Sequence, residues 1–196
     1  KIAFLLLLGG SLIHYSSLTL LPVLFLSNKP FNKKTTILFL CAIPLGYVVY
    51  YAGGSILMNP SLPFIGNKLA IYQAAVEKGK MTVGINICDP LHIMSIMLFY
   101  YLLLFKDSLT KLCDDFPILL KTSAIGLSLY SALAFLPVLA LRTSQLYCIV
   151  NILLYTYIIY TFKQKWIGIS MVVVLSLLLL YVSIPHYGLG MMIIPN

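Results

Sequence analysis

The chain has 196 residues, of which 61% are hydrophobic and 9% are charged. Soluble proteins carry roughly 25% charged residues, so this composition excludes an ordinary soluble domain and a disordered tail. The 13 lysine and arginine residues exceed the 5 acidic ones, but they form small clusters between apolar runs. A nucleic-acid-binding protein needs a basic stripe on one face, so we expect a multi-pass membrane protein with no nucleic-acid partner.

The residues that commonly hold metals or cofactors show no recognisable spacing. The 4 cysteines form no CxxC pair and have no histidine pair nearby, which argues against a zinc site or a disulfide framework. No Walker loop, HExxH or GxSxG motif occurs, and we expect neither a metal nor a cofactor. Because the chain begins with Lys1 rather than methionine, we interpret 1–196 as a single integral membrane domain of a longer protein.

The first apolar run, 2–27, would measure about 39 Å if it were wholly helical, which is long for one membrane span. A polar stretch that starts at His14 interrupts the run, and Pro22 interrupts it again. Two structures remain open, namely one tilted helix or a re-entrant hairpin that turns near His14. Lys1 and Lys29 at the two ends favour the hairpin, because it leaves both ends on the cytoplasmic side.

Five later segments are apolar enough to form transmembrane helices, each of which needs about 20 residues. These segments lie near 36–57, 90–105, 119–141, 145–162 and 166–184. Ala124, Ser128 and Ala132 repeat at four-residue spacing and predict close helix contact, while Pro44 and Pro137 predict bends. We therefore predict an all-α protein with about five full transmembrane helices after the broken or re-entrant first segment.

The basic residues predict which loops share a side of the membrane. They divide into a set of eight (Lys29, Lys33, Lys34, Lys106, Lys111, Lys121, Lys163 and Lys165) and a set of four (Lys68, Lys78, Lys80 and Arg142). Because cytoplasmic loops carry an excess of lysine and arginine, we place the larger set inside. The segment 58–89, the turn 141–145 and the tail after Ser183 then lie outside. Within 58–89, the apolar residues of 67–80 fall mostly on one helical face and predict a short amphipathic helix.

Few residues of this chain can perform chemistry. His14 lies deep in the first segment, where an ionisable group is costly and is a functional candidate by default. Arg142 lies at an outer boundary and starts a polar run that is followed by Tyr147. An arginine can bind a phosphate group through two parallel hydrogen bonds. Glu77 and Asp89 are the outer carboxylates, and either could act as a general base.

The stretch around His14-Tyr15-Ser16-Ser17 resembles a recurring segment of the EpsG/Wzy family of polysaccharide polymerases. A second match is Leu141–Tyr147, which has an arginine before an aromatic residue at the outer start of a late helix, and a third is Tyr72 after a proline-containing stretch. The resemblance covers most of the chain and is to the C-terminal half of the family. It implies a GT-C-like, metal-independent glycosyltransferase of the bacterial inner membrane.

The resemblance also implies a substrate and partners. Oligosaccharide repeat units carried on undecaprenyl diphosphate are joined at the outer face, next to membrane lipids and in company with flippase and chain-length-regulator proteins. Arg142 and His14 are then the expected catalytic residues, and the expected substrate contacts are Lys68, Tyr72, Glu77, Gln145, Tyr147 and Tyr187. The sugar, its linkage and the general base remain open.

Two other functions, a transporter and an acyltransferase, are alternatives to the polymerase. A flippase or other transporter should show internal repeats and a polar path across the membrane, and neither is visible in the sequence. A membrane acyltransferase should combine its histidine with an arginine and a cytoplasmic donor site, whereas Arg142 is predicted to lie outside.

Overall fold

The computed structural model describes residues 9–10, 20–57 and 85–192, with side chains up to residue 52 in the second range and residue 184 in the third. All regular secondary structure in these ranges is helical, which confirms the predicted all-α class. In chain order the helices are α1 (Leu21–Leu24), α2 (Lys33–Leu57), α3 (Pro90–Leu104), α4 (Lys106–Leu112), α5 (Phe116–Ala132), α6 (Pro137–Cys148), α7 (Asn151–Tyr157), a 3-10 turn (Ile158–Thr161) and α8 (Lys165–Met192).

The apolar helices confirm that the chain is a membrane protein. Lys33–Ala52 of α2 and Lys165–Ile184 of α8 are each long and apolar enough to cross a membrane. Two bent pairs meet the same criterion when combined, namely α3 with α4 at 78° and α6 with Asn151–Thr161 at 43°. The described ranges therefore contain two to four candidate spans. Helix α5 has 17 residues and measures about 25 Å, which is short for a perpendicular span.

The break between the third and fourth predicted helices lies at a different place from the one expected. Helix α5 ends at Ala132 and α6 begins at Pro137, so the predicted turn 141–145 is wrong and these residues are helical. Proline is well suited to the first turn of a helix, where its missing N–H costs no hydrogen bond. The Leu136 N–H donates to the Leu133 carbonyl at 2.7 Å and closes the connecting turn. Pro137 therefore starts a helix instead of bending one.

Helix α5 forms the centre of the bundle and packs closely against α2. A Cβ atom added to Gly46 would lie 2.5 Å from the Ser128 carbonyl oxygen. The Ser128 hydroxyl also donates to the Ala42 carbonyl at 2.8 Å. These contacts confirm the close helix contact predicted at Ser128. On another side of α5, Gly126 lies against the Cβ of Tyr147, which belongs to α6.

Basic loops meet at one end of the bundle, which we call the basic end. The Lys121 ammonium donates to the carbonyl oxygens of Ser27 at 2.6 Å and Lys29 at 2.8 Å. The Asn28 amide donates to the Asp115 carboxylate at 3.4 Å. The segment before α2 and the loop before α5 are therefore adjacent, in agreement with the predicted grouping of these loops.

The remaining basic loops join the same end through α3. The hydroxyl groups of Tyr101 and Thr161 share a hydrogen bond of 2.7 Å, which brings the end of α3 next to the 3-10 turn. The opposite end contains residues 85–92 and the turn 133–136 between α5 and α6. We call it the loop end, because the long segment between α2 and α3 leads into it.

Candidate functional site

Arg142 lies on the exposed face of α6, and Gln145, one turn further on, lies on the same face. The opposite face of α6 is buried against the bundle and consists of Ala140, Thr143, Ser144 and Tyr147. These four residues stand at positions i, i+3, i+4 and i+7, which is the spacing of the buried face of an amphipathic helix. The structure therefore keeps Arg142 and Gln145 together and separates both from Tyr147.

Contacts between α5 and α6 fix the level of Arg142 along the bundle. The two helices run antiparallel, with Gly126 against Tyr147. Just beyond the end of α6, the Ser123 hydroxyl of α5 donates to the side-chain oxygen of Asn151, the first residue of α7, at 2.6 Å. Ser131 lies five residues after Gly126, and Arg142 lies five residues before Tyr147. Both steps lead toward the connecting turn, so Ser131 stands level with Arg142. Arg142 therefore belongs to the loop end, away from the basic end.

Tyr147 is enclosed by protein. Its side chain is 0% exposed, and its Cβ lies where a side chain on Gly126 would have to be. A ring in this position has no free face for a sugar, so Tyr147 packs α6 against α5 in this conformation.

A buried polar cluster lies at the same level as Arg142. The His92 Nε2 and Ser131 Oγ atoms are 3.2 Å apart and share a hydrogen bond. The His92 ring stacks on Tyr130 with centroids 4.2 Å apart, and the Tyr47 ring lies 6.4 Å away. We call these four residues the histidine cluster, and they connect α2, α3 and α5.

His92 was not assigned a role from the sequence. A signal was available, because a histidine near the start of an apolar run is an ionisable group in a membrane segment. It is 6% exposed, and burial of a polar ring without a partner is costly. Its bond to Ser131 satisfies that need.

The segment before α3 is held by side chains from two other helices, α2 and α5. The Tyr47 hydroxyl donates to the Ile87 carbonyl at 3.0 Å, and the Tyr130 hydroxyl donates to the Asn86 carbonyl at 3.3 Å. Asp89, which the sequence proposed as a possible general base, is the N-cap of α3 and accepts from the Leu91 N–H at 3.3 Å.

Helix α6 adds a polar group at this level. The Thr143 Oγ1 atom is buried and has no hydrogen-bond partner among the residues that the structure describes. By the register given above, Thr143 stands level with Tyr130. An unsatisfied hydroxyl in an apolar interior is costly, so this position is a weak point in the packing of α6.

Several predicted site residues cannot be placed. His14, Lys68, Tyr72 and Glu77 lie outside the described residues, as do the side chain of Tyr187, the predicted amphipathic helix and most of the first segment. The backbone at Tyr187 belongs to α8, so the predicted tail continues as helix to Met192. In the described part of the chain, no group of three or more His, Cys, Asp or Glu side chains could hold a metal ion.

An apolar groove runs between α3, α7 and α8. It has a volume of about 360 Å³, and its walls include Met97, Ile158 and Leu175. The groove lies within segments that meet the criterion for membrane spans or broken spans, so its walls suit a hydrocarbon chain.

Comparison with known proteins assigns the family. No curated protein and no solved structure shows significant similarity to the chain. The sequence model of the EpsG family matches residues 1–195, which is essentially the whole chain. The chain therefore belongs to the EpsG family, and it is a membrane protein of the polysaccharide-polymerase, glycosyltransferase-like type.

Proposed function

We propose that this protein polymerises oligosaccharide repeat units linked to undecaprenyl diphosphate at the outer face of the bacterial inner membrane. A hydroxyl of one unit attacks the anomeric carbon of the growing chain, and the bond to undecaprenyl diphosphate breaks. The reaction needs no metal in this proposal. The observation that carries it is the position of Arg142, which is exposed on α6 at the loop end of a chain that belongs to the EpsG family.

The chemistry explains why an exposed arginine is useful here. The diphosphate gains negative charge as the glycosidic bond breaks, and a fixed cation stabilises that charge more than it stabilises the ground state. Gln145 on the same face can add a neutral hydrogen bond. In this proposal His14, Lys68, Tyr72, Glu77 and Tyr187 complete the site, and a general base among them accepts the proton of the attacking hydroxyl.

The membrane arrangement follows from the same proposal. Helix α5 crosses the membrane together with α2, α8 and the two bent pairs, which gives five crossings and a GT-C-like, multi-pass architecture. The apolar groove between α3, α7 and α8 offers a place for part of the polyprenyl chain. Flippase and chain-length-regulator proteins are the proposed partners.

The decisive experiment replaces Arg142. Arg142→Ala should lower the rate of polymerisation by about 10²- to 10³-fold, the usual effect of removing one preorganised group that stabilises a developing charge. Arg142→Lys should keep part of the activity, because it keeps the charge and loses the two-pronged geometry. The matched control is Lys165→Ala, which removes an exposed cation at the basic end and should leave the rate unchanged.

The measurement is glycan chain length by gel electrophoresis, with membrane insertion checked in parallel. Normal chain lengths in Arg142→Ala would refute the proposed role. A cysteine at position 142 should react with a membrane-impermeant reagent from outside the cell. Labelling only from the cytoplasm would overturn the proposed orientation.

A further inference from the structure

We propose that the histidine cluster positions the end of the outer loop against Arg142, with His92 and Ser131 as positioning residues for the transfer reaction. This inference rests on the proposed function. The four residues of the histidine cluster have no role in the function proposed above. None of them lies on the exposed face of α6, where Arg142 would meet the substrate.

The first step is the connection between α3 and α5. In the arrangement in which the Ser131 hydroxyl donates to the Leu127 carbonyl at 3.4 Å, His92 Nε2 is the donor to Ser131. Tyr130 stacks on the imidazole and restricts its rotation. An apolar ring could fill this space without a cost of desolvation, but its non-directional contacts would not fix where α3 lies along α5. The hydrogen bond therefore fixes the axial position of α3 relative to α5.

The second step is the hold on the loop. The Tyr47 and Tyr130 rings, which flank His92, both donate through their hydroxyls to the segment just before α3, at Ile87 and Asn86. The Asn86 side chain in turn accepts from the Cys88 N–H at 3.0 Å. The residues that lead out of the long outer loop are thus tied to the same cluster.

The third step connects the cluster with Arg142. Ser131 stands level with Arg142 in the antiparallel pair of α5 and α6, and the two helices are joined by the short turn 133–136. A shift of α3 along α5 would move residues 85–89 and leave Arg142 in place. An error of about 1 Å between reacting groups can lower a rate by about a hundredfold, so the hold on residues 85–89 controls the rate.

The test uses two variants that break the bond in different ways. His92→Phe keeps a stacking ring and removes the hydrogen bond, and Ser131→Ala removes the partner. His92→Gln is the conservative variant, because its amide can still reach the Ser131 hydroxyl. The matched control is Ser123→Ala, which removes another buried hydroxyl of α5 with its own side-chain partner, about two turns away.

The first readout needs no substrate. The Cys88 N–H donates to the Asn86 side chain and the Asp89 N–H donates to the Asn86 carbonyl, so hydrogen–deuterium exchange of the peptide that contains them, followed by mass spectrometry, reports how often this segment opens. We expect about fivefold to tenfold faster exchange of this peptide in His92→Phe and Ser131→Ala, as for the loss of one hydrogen bond. His92→Gln and Ser123→Ala should stay near the wild-type rate.

The second readout is polymerisation of a lipid-linked oligosaccharide in proteoliposomes. We expect kcat to fall by about tenfold to a hundredfold in His92→Phe and Ser131→Ala, with KM unchanged and with rescue in His92→Gln. Unchanged exchange, unchanged kcat or equal losses in Ser123→Ala would each overturn the inference. If the wild-type protein itself does not polymerise the substrate, the proposed function fails, and the exchange of the Cys88 peptide still decides whether the cluster holds the loop.

Discussion

The contact between Gly46 and Ser128 gives the sharpest test of the fold. In Gly46→Ala the new methyl group would lie 2.5 Å from the Ser128 carbonyl oxygen, whereas ordinary contacts begin near 3.4 Å. The clash is with backbone, which cannot rotate away as a flexible side chain can. Helices α2 and α5 must therefore separate locally by about 0.9 Å.

The cost has two parts. Overpacking of a tight core usually destabilises by about 1–3 kcal/mol. The separation would also stretch the bond from the Ser128 hydroxyl to the Ala42 carbonyl, now 2.8 Å, beyond hydrogen-bonding range, which costs about 0.5–1.5 kcal/mol. We expect Gly46→Ala to lose about 2–4 kcal/mol of folding stability in total. A gain in helix propensity of up to about 1 kcal/mol for alanine over glycine offsets part of this loss.

Comparison with the same substitution at a second glycine cancels the gain in helix propensity. Gly9 is helical, and a Cβ added to it meets none of the described residues within 4 Å, so Gly9→Ala should show the gain in helix propensity alone. Thermal unfolding followed by circular dichroism in detergent should place the midpoint of Gly46→Ala roughly 4–16 °C below that of Gly9→Ala. Equal midpoints for the two variants would show that α2 and α5 do not pack this closely, and the central packing described above would be refuted.

Two further stability predictions use the same assay. Lys121→Met should destabilise by about 2–4 kcal/mol, because it removes two charge-assisted bonds to the carbonyls of Ser27 and Lys29. Lys111→Met, at an exposed position of α4, is its control, and an equal loss there would contradict the assignment. Thr143→Val should be neutral or should stabilise by up to about 1 kcal/mol, because the buried hydroxyl has no partner in the described ranges. A clear loss of stability would mean that Thr143 has a partner in the folded protein.

Composition and spacing predicted the helical class and the grouping of the basic loops, because the cost of charge in a membrane constrains every lysine. They failed at the boundary between α5 and α6. The turn 133–136 reads Leu-Ala-Phe-Leu and carries none of the residues that usually mark a turn. The sequence alone therefore predicts a bend at Pro137, because a proline in the first turn of a helix and one in its interior look alike inside an apolar run.

The site was predictable only in part, for a related reason. The pairing of Arg142 with Gln145 follows from local helical spacing, but the burial of Tyr147 depends on a glycine of another helix, Gly126. The partners His92 and Ser131 are 39 residues apart in the chain, and no local pattern connects them. Sequence spacing reports which residues share a face of one helix, and it does not report what that face meets.

The position of Arg142 in a membrane segment has an energetic cost. It lies five residues into α6, about 7.5 Å from the start of the helix, and no ion pair to it exists among the described residues. An unpaired arginine within a membrane segment costs up to about 2.5–3.5 kcal/mol, less if its long side chain reaches the interface. A bound diphosphate would remove that cost and add two-pronged hydrogen bonds. In the proposed function, the exposure of Arg142 within a membrane segment is therefore the property that favours an anionic lipid headgroup at this position.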